Sequence, residues 1–225
     1  MPGEKQEVRI VSVNVGQPRE IALRDRVVLT SIFKSPVQGR VAVRGHNIEG
    51  DRQADLRVHG GPYKAIYAYA SEHYSYWAKE LPDADLPWGS FGENLTLAGL
   101  TEEDAFIGDQ FRAGSAVLEI TQPRMPCFKM NLRFQRSDMV KRFWQSSYSG
   151  IYFGIVEEGE LAAGDDLELL QRHAHAISVA DVVRLYKGEI EDEQVFERML
   201  AAPLRGSWKQ QIRERWEESS LPLFT

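Results

Sequence analysis

Cys127 is the only cysteine in the 225-residue chain, and it lies in residues 121–131 between basic side chains. Pro123 and Pro126 predict a rigid loop there rather than a packed strand. One thiol cannot form an internal disulfide or supply the roughly four ligands of an iron–sulfur cluster. It could ligate a soft metal, attack an electrophile or carry sulfur, or it could simply be a small buried apolar residue.

Positive charge is concentrated around this cysteine. Residues 121–142 contain six Lys and Arg and one acid, a local charge of +5, in a chain whose net charge is −6. Neighbouring cations favour the thiolate over the thiol, which suits each of the chemical roles above. The remaining residues carry −11, and the sequence pI is about 5.5. That acidity argues against a general binder of nucleic acids or anionic membranes.

Two other loops carry groups that could contact a ligand. In residues 55–65, His59 and Lys64 flank the adjacent glycines Gly60 and Gly61. Such glycines either let backbone amides approach a ligand or serve only the geometry of a turn. In residues 88–95, Asn94 offers a donor and an acceptor that could read an amide-like ring edge, although a turn is the simpler interpretation.

The first 172 residues predict a mainly β fold. Glycines and prolines separate short apolar runs, a pattern typical of a closed or nearly closed antiparallel barrel with inserted helices. Helices are predicted at 71–80 and 138–146, capped by Ser71 and Asp138. Strands are predicted at 8–15, 27–33, 40–44, 65–69, 94–97, 110–112 and 116–121, with a last strand at the end of 161–170.

Helical periodicity replaces this pattern after Arg172. Ser178 is a candidate cap for a first helix that stops at Gly188, a second helix ends before Pro203, and a third begins at Ser207. We therefore predict a β-barrel domain over 1–172 and a three-helix domain over 173–225. Residues 172–218 hold eight basic and nine acidic side chains, which argues against a DNA-binding helix-turn-helix.

Several common signatures are missing from the sequence. It has no phosphate-binding loop, no dinucleotide fingerprint, no nucleophile elbow and no H-E-x-x-H zinc motif. His173 and His175 could bind a metal, but a polar linker between the two domains is the favoured interpretation. Apolar runs fall far short of the roughly 20 residues of a membrane span, and no signal peptide is evident. We therefore expect a cytoplasmic protein that binds neither membrane nor nucleic acid.

An ordered set of motifs resembles the MOSC domain, the fold of molybdenum cofactor sulfurase C-termini. The helical residues behind it resemble the three-helix tail of the bacterial YiiM-like branch of that family. The resemblance covers most of the chain, and it implies a β-barrel that carries a molybdopterin-type cofactor. The motifs are Lys34-Ser35-Pro36, Gly50-Asp51 with Asp55, His59-Gly60-Gly61 with Lys64-Ala65, Phe91 to Leu95, Ile107-Gly108-Asp109, and Gln122-Pro123-Arg124 with Pro126-Cys127.

The resemblance implies a role for particular residues of this chain. Cys127 would ligate molybdenum, and Arg124 would line the site. A soft thiolate suits a soft coordination sphere, and an anionic pterin phosphate and dithiolene need surrounding cations.

Five further residues complete the implied cofactor site. Lys34 and Ser35, with Arg40, would lie at the cofactor's phosphate. Asn94 would lie against the pterin, and His59 would line the site.

The activity that the resemblance implies is reduction of N-hydroxylated compounds, including hydroxylaminopurine-type base analogues. The lone cysteine and the missing dinucleotide fingerprint imply that a separate reductase donates the electrons. Two alternatives remain open: a sulfur carrier with a Cys127 persulfide for cluster or cofactor assembly, and a non-catalytic module that binds the cofactor or a small anion. The oligomeric state is open, and the helical tail could cover the barrel mouth, dock a redox partner, dimerise or cap a sheet edge.

Overall fold

The computed structural model describes residues 7–23, 26–54 and 60–220. Within this part of the chain every helix is too short or too polar to cross a membrane. The strands are β1 (Val8–Val15), β2 (Arg19–Leu23), β3 (Arg26–Thr30), β4 (Ser35–Pro36), β5 (Val41–Arg44), β6 (Asn47–Ile48), β7 (Ile66–Ala70), β8 (Leu95–Ala98), β9 (Gln110–Ala113), β10 (Ala116–Pro123), β11 (Ile151–Glu157), β12 (Gly159–Leu161) and β13 (Asp166–Gln171). The helices are α1 (Glu72–Glu80), α2 (Lys129–Phe134), α3 (Met139–Ser146), α4 (Val179–Tyr186), α5 (Glu193–Ala201) and α6 (Gly206–Ser220).

Seven of these strands close into a barrel, which confirms the predicted fold class. Their order is β1, β13, β9, β10, β11, β7 and β8, and β8 pairs with β1 again. Closure leaves these strands without a free edge, which removes a common route to aggregation. The prediction of a purely antiparallel barrel is wrong at one place, since β7 and β8 are parallel. Two parallel strands need a crossover connection that brings the chain back to the end at which the first strand began, and the connection from β7 to β8 contains α1.

The Cys127 segment begins as a strand, which corrects the prediction of a loop from residue 121. Strand β10 continues through Pro123, whose partner in the register is Ile151 of β11. Proline is tolerated there because it is the last residue of the strand. The irregular segment that carries Cys127 therefore covers only 124–128, and α2 follows it directly.

The three predicted helix caps have different outcomes. Ser178 is a true cap, since its hydroxyl accepts the Asp181 amide at 3.0 Å and the Asp181 carboxylate accepts the Ser178 amide at 3.0 Å. The prediction is wrong for Ser71, whose hydroxyl turns to the exposed Glu72 carboxylate instead. It is also wrong for Asp138, because Arg136 and Arg142 occupy that carboxylate.

The helices α4 to α6 pack directly on the barrel. One continuous apolar core joins barrel residues such as Ile107 and Leu118 to Val182, Met199 and Ile212 of the helices. Backbone hydrogen bonds reinforce the contact, since the Ile107 amide donates to Ile177 at 2.8 Å. The division into domains at 172 stays a prediction, because the two parts share this core.

The difference between the two serine caps can be measured. We expect Ser178→Ala to lower the free energy of unfolding by about 1 kcal/mol, because it leaves the Asp181 amide without its acceptor. Ser71→Ala is the matched control, and we expect it to change stability by less than about 0.5 kcal/mol. Urea denaturation followed by circular dichroism checks both values, and equal losses would contradict the assignment of caps.

Candidate functional site

A cavity of about 600 Å³ opens at one end of the barrel. It lies where β10 ends and β11 begins, because the register pairs Pro123 with Ile151. The same register places Ala68 of β7 beside Ile151, and Leu95 of β8 beside Ala68. Four residues singled out from the sequence meet here, and they are Lys34, Asn94, Arg124 and Cys127. Other lining residues include Ser31, Asp51, Gly60, Lys64, Gly92, Lys129 and Tyr152.

Lys34 is a buried cation with a fixed partner. Its Nζ lies 2.5 Å from Asp51 Oδ1, and only 7% and 1% of the two side chains are exposed. Burial lowers the pKa of Lys34, and the Asp51 carboxylate opposes that shift. The Gly16 amide also donates to Asp51 at 2.7 Å. Asp51 therefore holds the Lys34 ammonium in place, a role that the sequence analysis did not assign to it.

Arg124 is held by aromatic rings rather than by a carboxylate. Its guanidinium carbon lies 4.8 Å from the Tyr67 ring centroid and 5.3 Å from that of Phe143. Its Nη1 donates to the Met130 sulfur at 3.4 Å. Within the described ranges it has no ion pair, although only 7% of the residue is exposed. A buried guanidinium in this state is suited to receive an anionic ligand.

The cysteine itself lies half-buried on the cavity wall. Its carbonyl accepts the Met130 amide at 3.0 Å at the start of α2, which fixes the backbone around the thiol. The thiol is close enough to Lys64 and Arg124 to interact electrostatically with both. Burial lowers the pKa of Lys64, and the nearby Arg205 of the helical region adds to that shift.

The described lining of the cavity carries an excess of positive charge. Lys34, Lys64, Arg124 and Lys129 line it, and Asp51 is the acid among the described lining residues. Lys64 was singled out from the sequence as a possible ligand contact beside the glycine pair, without a role at the cofactor. Lys129 was not singled out, although it follows Cys127 by two positions. The cavity therefore favours a ligand with negative charge.

Asn94 lines the cavity, but its amide also ties the barrel together. Its Oδ1 accepts the Tyr67 amide at 3.2 Å, and its Nδ2 donates to the Asn14 carbonyl at 3.3 Å. These bonds join β7 to β1 beside the cavity. One Nδ2 hydrogen and one lone pair of Oδ1 remain for a ligand.

Glu93 organises the loop that forms the cavity wall, and it was not singled out from the sequence. It is fully buried, and its carboxylate accepts the Gly89 amide at 2.8 Å, the Phe91 amide at 3.0 Å and the Thr96 hydroxyl at 3.1 Å. The Tyr74 hydroxyl is a fourth donor. Burial raises the pKa of Glu93, and these hydrogen bonds oppose the shift.

Gly92, between Phe91 and Glu93, has φ +80°, and a Cβ there would lie 3.0 Å from Ile32. Both the backbone conformation and the close approach to Ile32 therefore require glycine at this position of the wall.

Three expected site residues do not join this group within the described structure. Ser35 is the first residue of β4 and is exposed. Successive side chains of an extended chain point to opposite sides, so Ser35 points away from the side on which Lys34 lies. Arg40 lies at the opposite end of the barrel, where its Nη2 is 2.9 Å from Asp165 Oδ2 and 3.1 Å from the Glu160 carbonyl. That ion pair holds it away from the cavity. His59 falls in residues 55–59, outside the described ranges.

The His173 and His175 pair forms part of the connection between barrel and helices. The two ring centroids are 5.2 Å apart, and the His173 amide donates to Asp109. Within the described ranges, no three His, Cys, Asp or Glu side chains are placed to hold a metal ion together.

Fold and site together define a closed β-barrel protein with a cationic, thiol-bearing cavity at one end and a three-helix module packed on its side. The model of the MOSC domain family matches residues 55–168. The chain belongs to the MOSC domain family.

Two relatives and one solved structure are matched over most of their length. The uncharacterised protein YflK of Bacillus subtilis is 40% identical, with 92% of this chain and 93% of YflK covered. Protein YiiM of Escherichia coli is 35% identical, with 83% and 84% covered. The crystal structure of YiiM from Geobacillus stearothermophilus superposes with a TM-score of 0.76 at 35% identity, covering 93% of this chain and 99% of that one.

Four buried tyrosines in the region of Arg124 predict that the free energy of unfolding falls at alkaline pH. Burial raises the pKa of Tyr67, Tyr69, Tyr74 and Tyr152 above the usual value near 10. Above about pH 10 the unfolded chain loses these protons while the folded chain keeps them, so stability is retained below that pH and falls above it. Each such tyrosine costs about 1.4 kcal/mol per pH unit there.

Tyrosinate absorbance and circular dichroism, recorded together from pH 8 to 12.5, test this expectation. Part of the tyrosinate signal should appear only as the fold is lost, and the same protein in concentrated urea serves as the control. The expectation would be contradicted if all tyrosines of the folded protein lost their protons at the same pH values as they do in urea.

Proposed function

We propose that this protein is a molybdenum-cofactor-dependent reductase of N-hydroxylated compounds. The observation that carries the proposal is the cavity itself, in which the chain's one thiol lies among four cations and a single acid of the described lining. Membership of the MOSC family supports it. So does a Gibberella moniliformis protein named Reductase, 32% identical over 181 residues, although the match covers only 32% of that protein.

The residues of the cavity fit such a cofactor. A thiolate is the kind of ligand that a soft metal prefers, and a phosphate and a dithiolene bring negative charge that cations can neutralise. Ser31 supports the fit independently, because its Oγ is buried at the cavity and has no hydrogen-bond partner among the described residues. A polar ligand would satisfy this hydroxyl.

The residues of the cavity would then have separate roles. The cofactor, when bound, supplies the two-electron redox chemistry. Cys127 would be the protein ligand to its metal, and Arg124 and Lys129 would neutralise its anionic groups. Lys34 would contribute a charge whose position Asp51 fixes. Because the Glu93 carboxylate already accepts four hydrogen bonds from the protein, and Asn94 uses half of its hydrogen-bonding capacity there, their main role would be to hold the wall against which the cofactor rests.

Metal and pterin analysis tests this proposal in protein purified from cells that make the cofactor. We expect near-stoichiometric molybdenum and pterin in the wild type and loss of most of the molybdenum in Cys127→Ser, because the hydroxyl is a poor soft-metal ligand. Arg124→Gln should lower retention of both. Arg136→Gln is the matched control, since Arg136 belongs to the same basic segment but pairs with Asp138 at the surface.

The same preparation separates the reductase from a sulfur carrier. The loaded wild type should convert a hydroxylamine to its amine with dithionite-reduced methyl viologen as the electron source. Protein without molybdenum that carries cyanide-labile sulfur on Cys127 would refute the proposal in favour of the carrier. Cofactor bound without turnover would refute it in favour of a binding module.

A further inference from the structure

A second cleft lies on the outer side of the Cys127 loop. We call it the basic groove and define it by Met125, Trp144, Tyr186 and three cations, Lys141, Lys187 and Arg215. It encloses about 1220 Å³. One wall comes from the Cys127 loop, one from α3, and one from helices α4 and α6 of the helical module. The groove therefore exists only because the module packs against the barrel.

Aromatic rings position two of the three cations of the basic groove. The Lys187 Nζ lies 5.1 Å from the Trp144 ring centroid and donates to Ser147 Oγ at 2.6 Å. The Arg215 guanidinium carbon lies 5.2 Å from the Tyr186 ring centroid. The two rings pack edge to face at 5.8 Å. Charges held in this way are preorganised, so a partner does not have to order them when it binds.

The charge of the basic groove is one-sided. Among the described residues no carboxylate lines it, although the chain as a whole carries −6. Glu218 pairs with Arg215 beside it at 2.9 Å, whereas Lys141 and Lys187 have no ion pair in the described ranges. Charge complementarity therefore selects an acidic partner surface and repels a basic one.

The position of the basic groove links it to the cavity. Met125 and Pro126 line the groove, and the next residue, Cys127, lines the cavity. Consecutive Cα atoms are about 3.8 Å apart, so the Cα atoms of Met125 and Cys127 are at most about 8 Å apart. A protein seated in the groove is separated from the cavity by the thickness of one loop.

We propose that the basic groove docks an acidic electron-carrier protein that bears a flavin or an iron–sulfur group. This proposal rests on the proposed function, since it identifies the source of the electrons. Reduction of one N–OH group breaks the N–O bond, consumes two electrons and two protons, and yields the amine and water. Reduced carrier supplies these two electrons and is itself oxidised: either one carrier molecule loses both, or two carrier molecules lose one each.

A protein suits the basic groove better than a nucleic acid does. A long polyanion would meet the acidic remainder of the chain, which carries −11 outside residues 121–142. A folded carrier needs to present only one acidic patch to three cations and two rings. Burial of Trp144 and Tyr186 against it would add apolar contact area.

Binding to a flavodoxin, an acidic flavin carrier, tests the proposal with the full-length chain as purified. Calorimetric titration at low salt should show saturable binding that weakens as salt is added. Lys141→Glu with Lys187→Glu should weaken it at least tenfold. Lys79→Glu with Arg44→Glu makes the same change in charge at exposed cations away from the groove, and it should weaken binding less than twofold.

Turnover gives a second readout that separates this proposal from the proposed function. With reduced methyl viologen, which needs no docking surface, the Lys141 and Lys187 double variant should keep the wild-type rate within twofold. With reduced flavodoxin its rate should fall at least tenfold at subsaturating carrier. Absence of flavodoxin binding, equal losses in both double variants, or tighter binding of an oligonucleotide through the same lysines would overturn the docking proposal. Failure with methyl viologen would instead count against the reductase.

Discussion

The excess of cations over acids in its described lining is the feature on which this cavity depends. Removing cations from water is unfavourable, and the structure offsets that cost in different ways for Lys34 and Arg124. Lys34 has Asp51, and Arg124 has the faces of Tyr67 and Phe143. What remains is a cavity whose described lining holds four cations and one acid around a thiol. An anionic ligand would complete the neutralisation, and that requirement connects the charge pattern of the sequence to the proposed cofactor.

The residues singled out from the resemblance, and their neighbours, have two kinds of role in this chain. Cys127 and Arg124 line the cavity, whereas Glu93 builds its wall and Asn94 does both. Glu93 links backbone amides of its own loop to hydroxyls of Tyr74 and Thr96, and Asn94 ties β7 to β1. A substitution at either position would therefore change the shape of the cavity before it changed any direct contact with a ligand.

The features that the sequence predicted correctly depend on residues that lie close together in the chain. Alternation and glycine spacing predicted most barrel strands, and Ser178 caps α4 because its partner Asp181 is three residues away. The position of Arg40 could not be predicted in this way, because Asp165, whose carboxylate holds it, is 125 positions further along the chain. The Asp138 cap failed for a related reason, since two arginines compete for the same carboxylate. The parallel pairing of β7 with β8, and the meeting of α3, α4 and α6 at the basic groove, depend on chain paths that no local pattern records.

X-ray absorption at the molybdenum edge tests most directly whether Cys127 is the protein ligand to molybdenum, as we propose. We expect the metal of the purified wild-type protein to have one more sulfur neighbour than the dithiolene supplies. Whatever metal Cys127→Ser retains should have lost that neighbour, while Arg136→Gln should keep it. An identical sulfur shell in the wild type and in Cys127→Ser would show that Cys127 is not the ligand.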